Sequence, residues 1–258
     1  MTSVWDDPEF VAKWNDTYGL DMRNAPIRPS LIFPLLAQKI GQAKGLSFVD
    51  LGCGNGNLIL AFQQTAFGSW VGIDAGKAVV ESAQKSVIDP RIRFVHGDVS
   101  APLAITKDSV DAVFSIFVIE ELPLQKLSGF FSNISRMLKN DGRAYLFTNH
   151  PVNAFHQDME FLRRSEENQK FEGHKGYFDR EPTTYALSVM NQQGGHTQKA
   201  DYHHKTTGDI VNGISQAGLT IHEMQEIPQG VISLDAFQKH KPQRGDVPRF
   251  LYLELGRR

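Results

Sequence analysis

The sequence predicts an α/β fold, a parallel β-sheet with helices on both faces. From residue 46 onward, short apolar runs alternate with segments of helical periodicity, and parallel strands need such crossover helices between them. The first run leads directly into a glycine-rich turn, which is typical of strand-to-helix connections that hold a ligand. With 258 residues, the chain is long enough for one such domain with an insertion and short for two.

The predicted elements follow a regular order. Ahead of the sheet, Asp6-Asp7-Pro8-Glu9 offers N-cap candidates and a first-turn proline for a helix through about Tyr18. A second helix is predicted from Pro29 to about Gly41, with Pro34 as a kink or a break. The remaining strands are predicted at 46–50, 70–74, 91–96, 110–116, 143–147, 220–226 and 250–255, and the remaining helices at 57–66, 77–86, 124–138 and 207–217.

Residues 149–205 interrupt this alternation with a polar, histidine-rich stretch. We predict an inserted lid over the ligand site, with a short helix at about 157–168 and a hairpin turning at or near Gly194-Gly195. Residues 228–249 are interpreted as a loop or a second piece of the lid. The chain is thus one domain with four parts: a helical N-terminal cap (1–45), a ligand-binding core (46–148), the lid (149–205) and a C-terminal helix with strands (206–258).

Composition limits the partners and the compartment. A net charge of −2 provides no excess of positive charge for a nucleic-acid backbone, so no large nucleic-acid partner is expected. Cys53 is the sole cysteine, which excludes an intramolecular disulfide and a cysteine metal cluster. The sequence shows neither a signal-peptide pattern nor an apolar run of about 18 residues. We therefore expect a soluble, cytoplasmic protein without a membrane span.

The turn FVDLGCGNGNLILAF, residues 48–62, indicates the charge of the ligand. Its glycines Gly52, Gly54 and Gly56 follow the pattern G-x-G-x-G, whereas dinucleotides favour G-x-G-x-x-G for their pyrophosphate. Asn57 stands where the third glycine of the dinucleotide pattern would fall. Asp50 would repel a pyrophosphate and attract an ammonium group. The turn therefore predicts a cationic, amino-acid-like ligand.

The order of motifs resembles the class I S-adenosylmethionine (SAM)-dependent methyltransferases, and within them the small-molecule branch that includes quinone-biosynthesis and natural-product enzymes. The resemblance covers most of the chain and implies a Rossmann-like, seven-stranded, mostly parallel sheet whose last strand is antiparallel. It also implies SAM as the cofactor. The segments that carry it are FVDLGCGNG, VGIDAG, RFVHGDVS, VDAVFSIFVIEELP, RMLKNDGRAYLF and HHKTTGDIVNGISQAGLTIHEMQEIP.

The resemblance assigns cofactor roles to residues at the strand ends. Asp74 would accept from both ribose hydroxyls, Asp98 from the adenine amino group, and the backbone of Val99 would pair with the ring. Asp50 would lie near the methionine end, and Ser115 would contact the amino-acid moiety. The full predicted cofactor set is Asp50, Gly52, Cys53, Gly54, Gly56, Asp74, Ala75, Asp98, Val99 and Ser115.

Candidates for catalysis follow the fourth and fifth strands. Glu120 and Glu121 stand where many relatives carry histidine or another residue near the transferred methyl group. Either could bind a cationic amine or act as a base, although a helix N-terminus beside Pro123 also favours acids. His150, in a His-Pro pair common in this branch, is a candidate general base or orienting donor, or a hydrogen-bonded structural residue.

Aromatic and basic side chains outside the core supply the acceptor-site candidates. Trp14, Tyr18, Tyr177 and Tyr185 could form a wall against a flat or cationic acceptor, or simply pack the lid. His203 is a pocket candidate. Neighbouring histidines of a strand point to opposite faces, so we predict no metal site at His203-His204. Arg28 could reach the SAM carboxylate or be an exposed arginine.

The predicted function is methyl transfer from SAM to an oxygen, nitrogen or carbon atom of a small organic molecule. The acceptor type is not encoded in the cofactor motifs, because an amine, a phenol and a carboxylate make different demands for a base. Three alternatives stay open: a SAM-binding protein without methyl transfer, a methyltransferase acting on tRNA or protein, and a nicotinamide oxidoreductase.

Overall fold

The protein is built on one seven-stranded sheet. The computed structural model describes residues 4–18, 27–41, 44–152, 177–178, 180, 182–191, 194–244 and 246–258. The strands lie in the order β3-β2-β1-β4-β5-β9-β8. β1 to β5 are parallel to one another, and β9 is antiparallel to both β5 and β8. The predicted α/β fold with one antiparallel strand is confirmed. The strand bounds are β1 Ser47–Leu51, β2 Ser69–Asp74, β3 Ile92–His96, β4 Val110–Ile116, β5 Leu138–Asn149, β8 Leu219–Pro228 and β9 Pro248–Arg257.

Helices cover both faces of the sheet. Side chains alternate between the faces, so that Phe48 and Trp70 join one buried cluster while Val49 and Leu51 join the other. The first cluster lies under α2, α3 and α7, and the second lies under α5 and α6. The helix bounds are α1 Pro8–Tyr18, α2 Phe33–Ile40, α3 Asn57–Phe62, α4 Lys77–Ser86, α5 Leu127–Met137, α6 Thr207–Gln216 and α7 Leu234–Lys239; short helical turns are Val4–Asp6, Arg28–Ile32, Ile119–Glu121 and Leu124–Lys126.

Several predicted boundaries were wrong. The helix predicted to reach residue 66 ends at Phe62, where the Thr65 hydroxyl donates to the Phe62 carbonyl and closes a turn. Leu138, placed on a helical face, begins β5 because its backbone is already extended. Pro34 follows the wide helical turn Arg28–Ile32, as expected where a proline withholds its N–H from the preceding turn. The 228–249 segment contains the short helix α7.

The predicted hairpin is present within the insertion. β6 (Thr183–Asn191) and β7 (Gly194–Tyr202) pair antiparallel, and Asn191 stands opposite Gly194. Gly194 is therefore the first residue of the second strand rather than part of the turn. The hairpin lies against α1, so the lid and the N-terminal cap meet. The predicted helix at 157–168 lies outside the described residues.

None of the described helices is both long enough and apolar enough to cross a membrane.

Candidate cofactor and acceptor site

The glycine turn joins β1 to α3 and has two different surfaces. Gly52, Gly54 and Gly56 all adopt positive φ, at 77°, 52° and 82°, where an L side chain is strained. A Cβ on Gly52 would lie 2.1 Å from Cγ2 of Val118, whereas a Cβ on Gly54 would meet no described atom within 4 Å. The Gly52 side of the turn is packed against the protein, and the Gly54 side leaves open space for a ligand.

Asp74 fixes the shape of that turn from the end of β2. Its Oδ2 accepts from the Gly54 N–H at 2.8 Å, and its Oδ1 accepts from the Gly76 N–H at 2.8 Å. Burial raises the pKa of Asp74, and the two backbone donors oppose that shift. Each carboxylate oxygen can accept a further bond. The arrangement suits a vicinal diol, the chemistry predicted for the ribose, with Ala75 adjacent.

Asp98 lies at the end of the next strand in a charged pair. Its Oδ2 accepts from Nζ of Lys126 at 2.7 Å, while Oδ1 accepts from the backbone and hydroxyl of Ser100. Partial burial raises the pKa of Asp98. The hydrogen bonds from Lys126 and Ser100 together lower it by more than that, so the net shift is downward. Asn133 of α5 donates to the Val99 carbonyl at 2.9 Å and holds the loop that the adenine ring is expected to contact.

Two buried polar groups at the switch point between β1 and β4 have no hydrogen-bond partner among the described residues. The Asp50 carboxyl accepts no hydrogen bond from any described residue, and burial followed by the charge of Asp74 raises its pKa to about 8, against the opposing charge of Arg28. The buried Ser115 hydroxyl also has no partner in the described part of the chain. Buried polar groups are normally hydrogen-bonded. Both groups therefore fit the polar, ammonium-bearing end of SAM.

A chain of amides ties the N-terminal cap to the glycine turn. Asn55 donates to the side-chain oxygen of Asn15 on α1, and Asn57 donates to Asn55. Arg28 donates to Asn57 at 3.4 Å and lies over the ring of Phe117. Burial lowers the pKa of Arg28 to about 10, against the opposing charges of Asp50 and Glu120. Arg28 thus lies within electrostatic range of Asp50 and Glu120, and its contact with the SAM carboxylate stays a prediction.

Glu120 is a fixed, buried carboxylate at the ends of β4 and β5. Its Oε2 accepts from the Thr148 hydroxyl at 2.7 Å, and its Oε1 accepts from the Asn149 side chain at 2.7 Å. Burial raises the pKa of Glu120, and the Thr148 and Asn149 donors oppose the shift. Glu121, next in the chain, is half-buried. Their catalytic and binding roles stay predictions.

His150 has both ring nitrogens occupied. Its Nδ1 accepts from the Val152 N–H at 3.1 Å, and its Nε2 lies 2.9 Å from Oε1 of Glu226. An acceptor role for Nδ1 makes Nε2 the protonated nitrogen of the neutral ring. The geometry favours a structural role, and the predicted role as a general base stays untested.

The buried His150 predicts a pH dependence of stability. Burial lowers the pKa of His150 below its ordinary 6.5, so protonation favours the unfolded chain. The contribution of His150 is fully present above about pH 6.5 and is lost as pH falls through the lowered pKa. Urea unfolding between pH 7.5 and 5 should show this loss in the wild type and not in His150→Gln. His222→Gln, altering an exposed histidine of β8, should retain it.

The aromatic candidates divide between packing and the lid. The rings of Trp14 and Tyr18 are tilted against each other with their centroids 4.4 Å apart, and they continue into a cluster with Trp5 and Phe10. This contact favours packing of the cap. Tyr177 donates to the Thr207 hydroxyl at the start of α6. The Tyr185 side chain lies outside the described part of the chain, and the acceptor role of all these residues stays a prediction.

His203 of the predicted lid contacts the Ile119–Glu121 turn through its backbone. The His203 backbone N–H donates to the Glu120 carbonyl at 2.9 Å, while the pKa of its ring is lowered by burial and by Lys205. Among the described residues, no three His, Cys, Asp or Glu side chains are grouped as metal ligands would be.

Sequence reasoning missed several residues that the fold brings to the site. Thr148 and Asn149 lie beyond the predicted fifth strand, which ended at residue 147, and Lys126 was visible only as a helix residue. Lys205 lay unremarked beside the histidines. Asn55, by contrast, stands inside the glycine motif, and a polar residue there was a usable signal.

Known proteins share the fold described above. Residues 48–142 match the family model of a methyltransferase domain. A protein from Pyrococcus horikoshii has a similar structure, with a TM-score of 0.65 at 16% identity over 97% of this chain and 99% of that one. A SAM-dependent methyltransferase from Mesorhizobium loti gives 0.58 at 20% identity, covering 87% and 96%. The geranyl diphosphate C-methyltransferase of Streptomyces coelicolor, in complex with Mg²⁺, geranyl diphosphate and S-adenosylhomocysteine, gives 0.57 at 13% identity, covering 92% and 81%.

The structural comparisons and the family match support different conclusions. The structural likenesses, at 20% identity or less, show the fold alone, and the family match adds a likeness to a methyltransferase domain over residues 48–142. The matched segment runs from β1 into β5 and so includes the glycine turn, Asp74 and Asp98. Residues 48–142 are therefore similar to a methyltransferase domain, and the chain shares its fold with SAM-dependent methyltransferases.

Proposed function

We propose that this chain transfers a methyl group from SAM to an oxygen, nitrogen or carbon atom of a small organic molecule in the cytoplasm. The observation that carries the proposal is the row of acids at the ends of β1, β2 and β3. Asp50, Asp74 and Asp98 stand in an order that matches the amino-acid, ribose and adenine parts of SAM.

SAM supplies a methyl group bound to a sulfonium, so the leaving group is a neutral thioether. The protein's task is then mainly to position the reactants and to exclude water, and orientation of this kind contributes about 7–11 kcal/mol. Asp74 and the open side of the glycine turn would hold the nucleoside, and Asp50 would hold the ammonium group. The acceptor would enter beyond β4 and β5, near Glu120.

A small acceptor is supported by the lid and by the charge. The hairpin lies against α1, and a lid that closes with the N-terminal helix over the ends of the strands would favour a molecule that fits inside. The net charge of −2 supplies no excess of basic residues for a polyanion. Methyl transfer to tRNA or protein remains the second candidate within the same chemistry.

Calorimetric titration with SAM, S-adenosylhomocysteine and NAD tests the proposal. We expect the first two to bind at micromolar strength and NAD not to bind. Labelled-methyl transfer in an acceptor screen then separates an enzyme from a SAM-binding protein without turnover. Tight binding of NAD, without binding of SAM or S-adenosylhomocysteine, would overturn the proposal and support a nicotinamide oxidoreductase.

The buried Asp50 carboxyl predicts a release of protons on SAM binding, which the same titration can measure. With its pKa at about 8, this carboxyl is mostly protonated at pH 7, and a ligand ammonium would ionise it. Binding of SAM at pH 7 should therefore release most of one proton, measured as the dependence of the binding heat on the ionisation heat of the buffer. Asp50→Asn should abolish the release. Equal heats in all buffers for the wild type would place the ammonium elsewhere.

A further inference from the structure

Lys205 is a buried cation that contacts no anionic side chain among the residues that the structure describes. It precedes α6, is only 3% exposed, and its Nζ donates to the backbone carbonyl of His203. Within the described part of the chain it has no carboxylate within ion-pair distance and makes no other hydrogen bond. An ammonium group carries three N–H donors, so two of them have no protein partner there.

The position of Lys205 is on the acceptor side of the site. The His203 N–H bonds to the Glu120 carbonyl, which seats this end of the lid on the Ile119–Glu121 turn. The nucleoside half of SAM is expected in the other direction, over Asp74 and Asp98. A methyl acceptor has to approach the methyl carbon in line with the carbon–sulfur bond that breaks, from the side opposite the sulfur. With the nucleoside over Asp74 and Asp98, we expect that side to lie at the ends of β4 and β5.

The nearby carboxylates do not neutralise Lys205 by contact. Glu120 is already held by Thr148 and Asn149, and Asp209 is taken up by Arg180 and by the backbone of Thr206. Glu120, Glu121 and Asp209 act on the lysine only through space, and burial, the larger effect, lowers its pKa to about 8. A buried charge of this kind is destabilising until an anionic oxygen pairs with it.

We propose that Lys205 is an acceptor-site residue whose ammonium donates hydrogen bonds to an ionised oxygen, a carboxylate or a phenolate, on the methyl acceptor. The inference rests on the proposed function and adds the charge class of the acceptor. It selects acidic molecules over cationic amines, which Lys205 and Arg28 would repel.

Calorimetry on the full chain saturated with S-adenosylhomocysteine tests this at pH 7. The probes are benzoate and benzamide, which have the same shape and differ in charge. We expect wild-type protein to bind benzoate at least about tenfold more tightly than benzamide, a difference typical of a charge-assisted hydrogen bond. Lys205→Met should remove the preference and Lys205→Arg should keep most of it. Lys241→Met, altering an exposed lysine, should leave the ratio unchanged.

Each outcome decides a separate point. Equal binding of the two probes by the wild type, or a preference that survives in Lys205→Met, overturns the role of Lys205. If Lys205→Met does not fold, judged by its melting temperature and its affinity for S-adenosylhomocysteine, the wild-type ratio and the arginine variant still decide. Failure of the wild type to bind S-adenosylhomocysteine overturns the proposed function itself, before any acceptor probe is added.

Discussion

Gly52→Ala should unfold the protein at a markedly lower temperature. The added Cβ would lie 2.1 Å from Cγ2 of Val118, and Val118 is buried and β-branched, so it cannot rotate away freely. The positive φ of 77° adds strain for any residue with a side chain. Together these cost about 2–5 kcal/mol, or roughly 5–15 °C in a chain of this size. Differential scanning calorimetry measures the shift.

Gly54→Ala is the matched control, because its φ is also positive but its Cβ meets no described atom within 4 Å. Its melting temperature should fall by only about 2–5 °C, the cost of the backbone strain alone. Its affinity for SAM should nevertheless fall at least about tenfold, since the methyl group fills the space assigned to the ligand. Normal SAM binding by Gly54→Ala would show that the cofactor does not approach this turn.

Asp74→Ala should weaken SAM binding about 10- to 150-fold. The carboxylate is the proposed acceptor for the ribose, and a hydrogen bond to a charged group contributes about 1.5–3 kcal/mol. The variant also releases the Gly54 and Gly76 N–H groups, so some loss of stability accompanies the loss of affinity. Isothermal titration with SAM and with S-adenosylhomocysteine measures both ligands.

Asp111→Ala separates these two effects. Asp111 likewise accepts a backbone N–H, from Ser47 at 2.8 Å, and pairs with Lys139 at 2.7 Å, but it lies at the opposite end of the sheet. The Asp111→Ala variant should lose about as much stability as Asp74→Ala does and keep the wild-type affinity for SAM. If both variants bind SAM as the wild type does, Asp74 has no contact with the ribose.

Much of the cofactor half could be predicted because its residues are adjacent in sequence to the turns that position them. Gly52, Gly54 and Asp50 stand within five residues, and Asp74 ends a strand whose apolar pattern is plain. The number of strands and the antiparallel direction of the last one followed from the family resemblance rather than from the pattern of any one segment.

The acceptor half was harder because its partners are distant in sequence. Glu120 meets Thr148 and Asn149 across two strand ends, and Lys205 arrives from the far side of the lid. His150 was singled out for its position after β5, yet its bond to Glu226 depends on β8, which no local pattern reveals. Long-range side-chain pairing of this kind is set by topology, which the periodicity of a single segment does not encode.

The sheet order also dictates how the molecule is assembled. β9 follows β8 along the chain, yet it lies between β5 and β8. Among the described strands, β8 pairs with β9 alone, so it has to wait for a strand that is synthesised after it. Until then β5 is an open edge, with unpaired backbone groups along one side. The pairing of Ala144 with Leu255 closes a loop of more than a hundred residues, a slow, long-range step in folding. Newly made chains are thus most exposed to strand-to-strand aggregation along the open edge of β5.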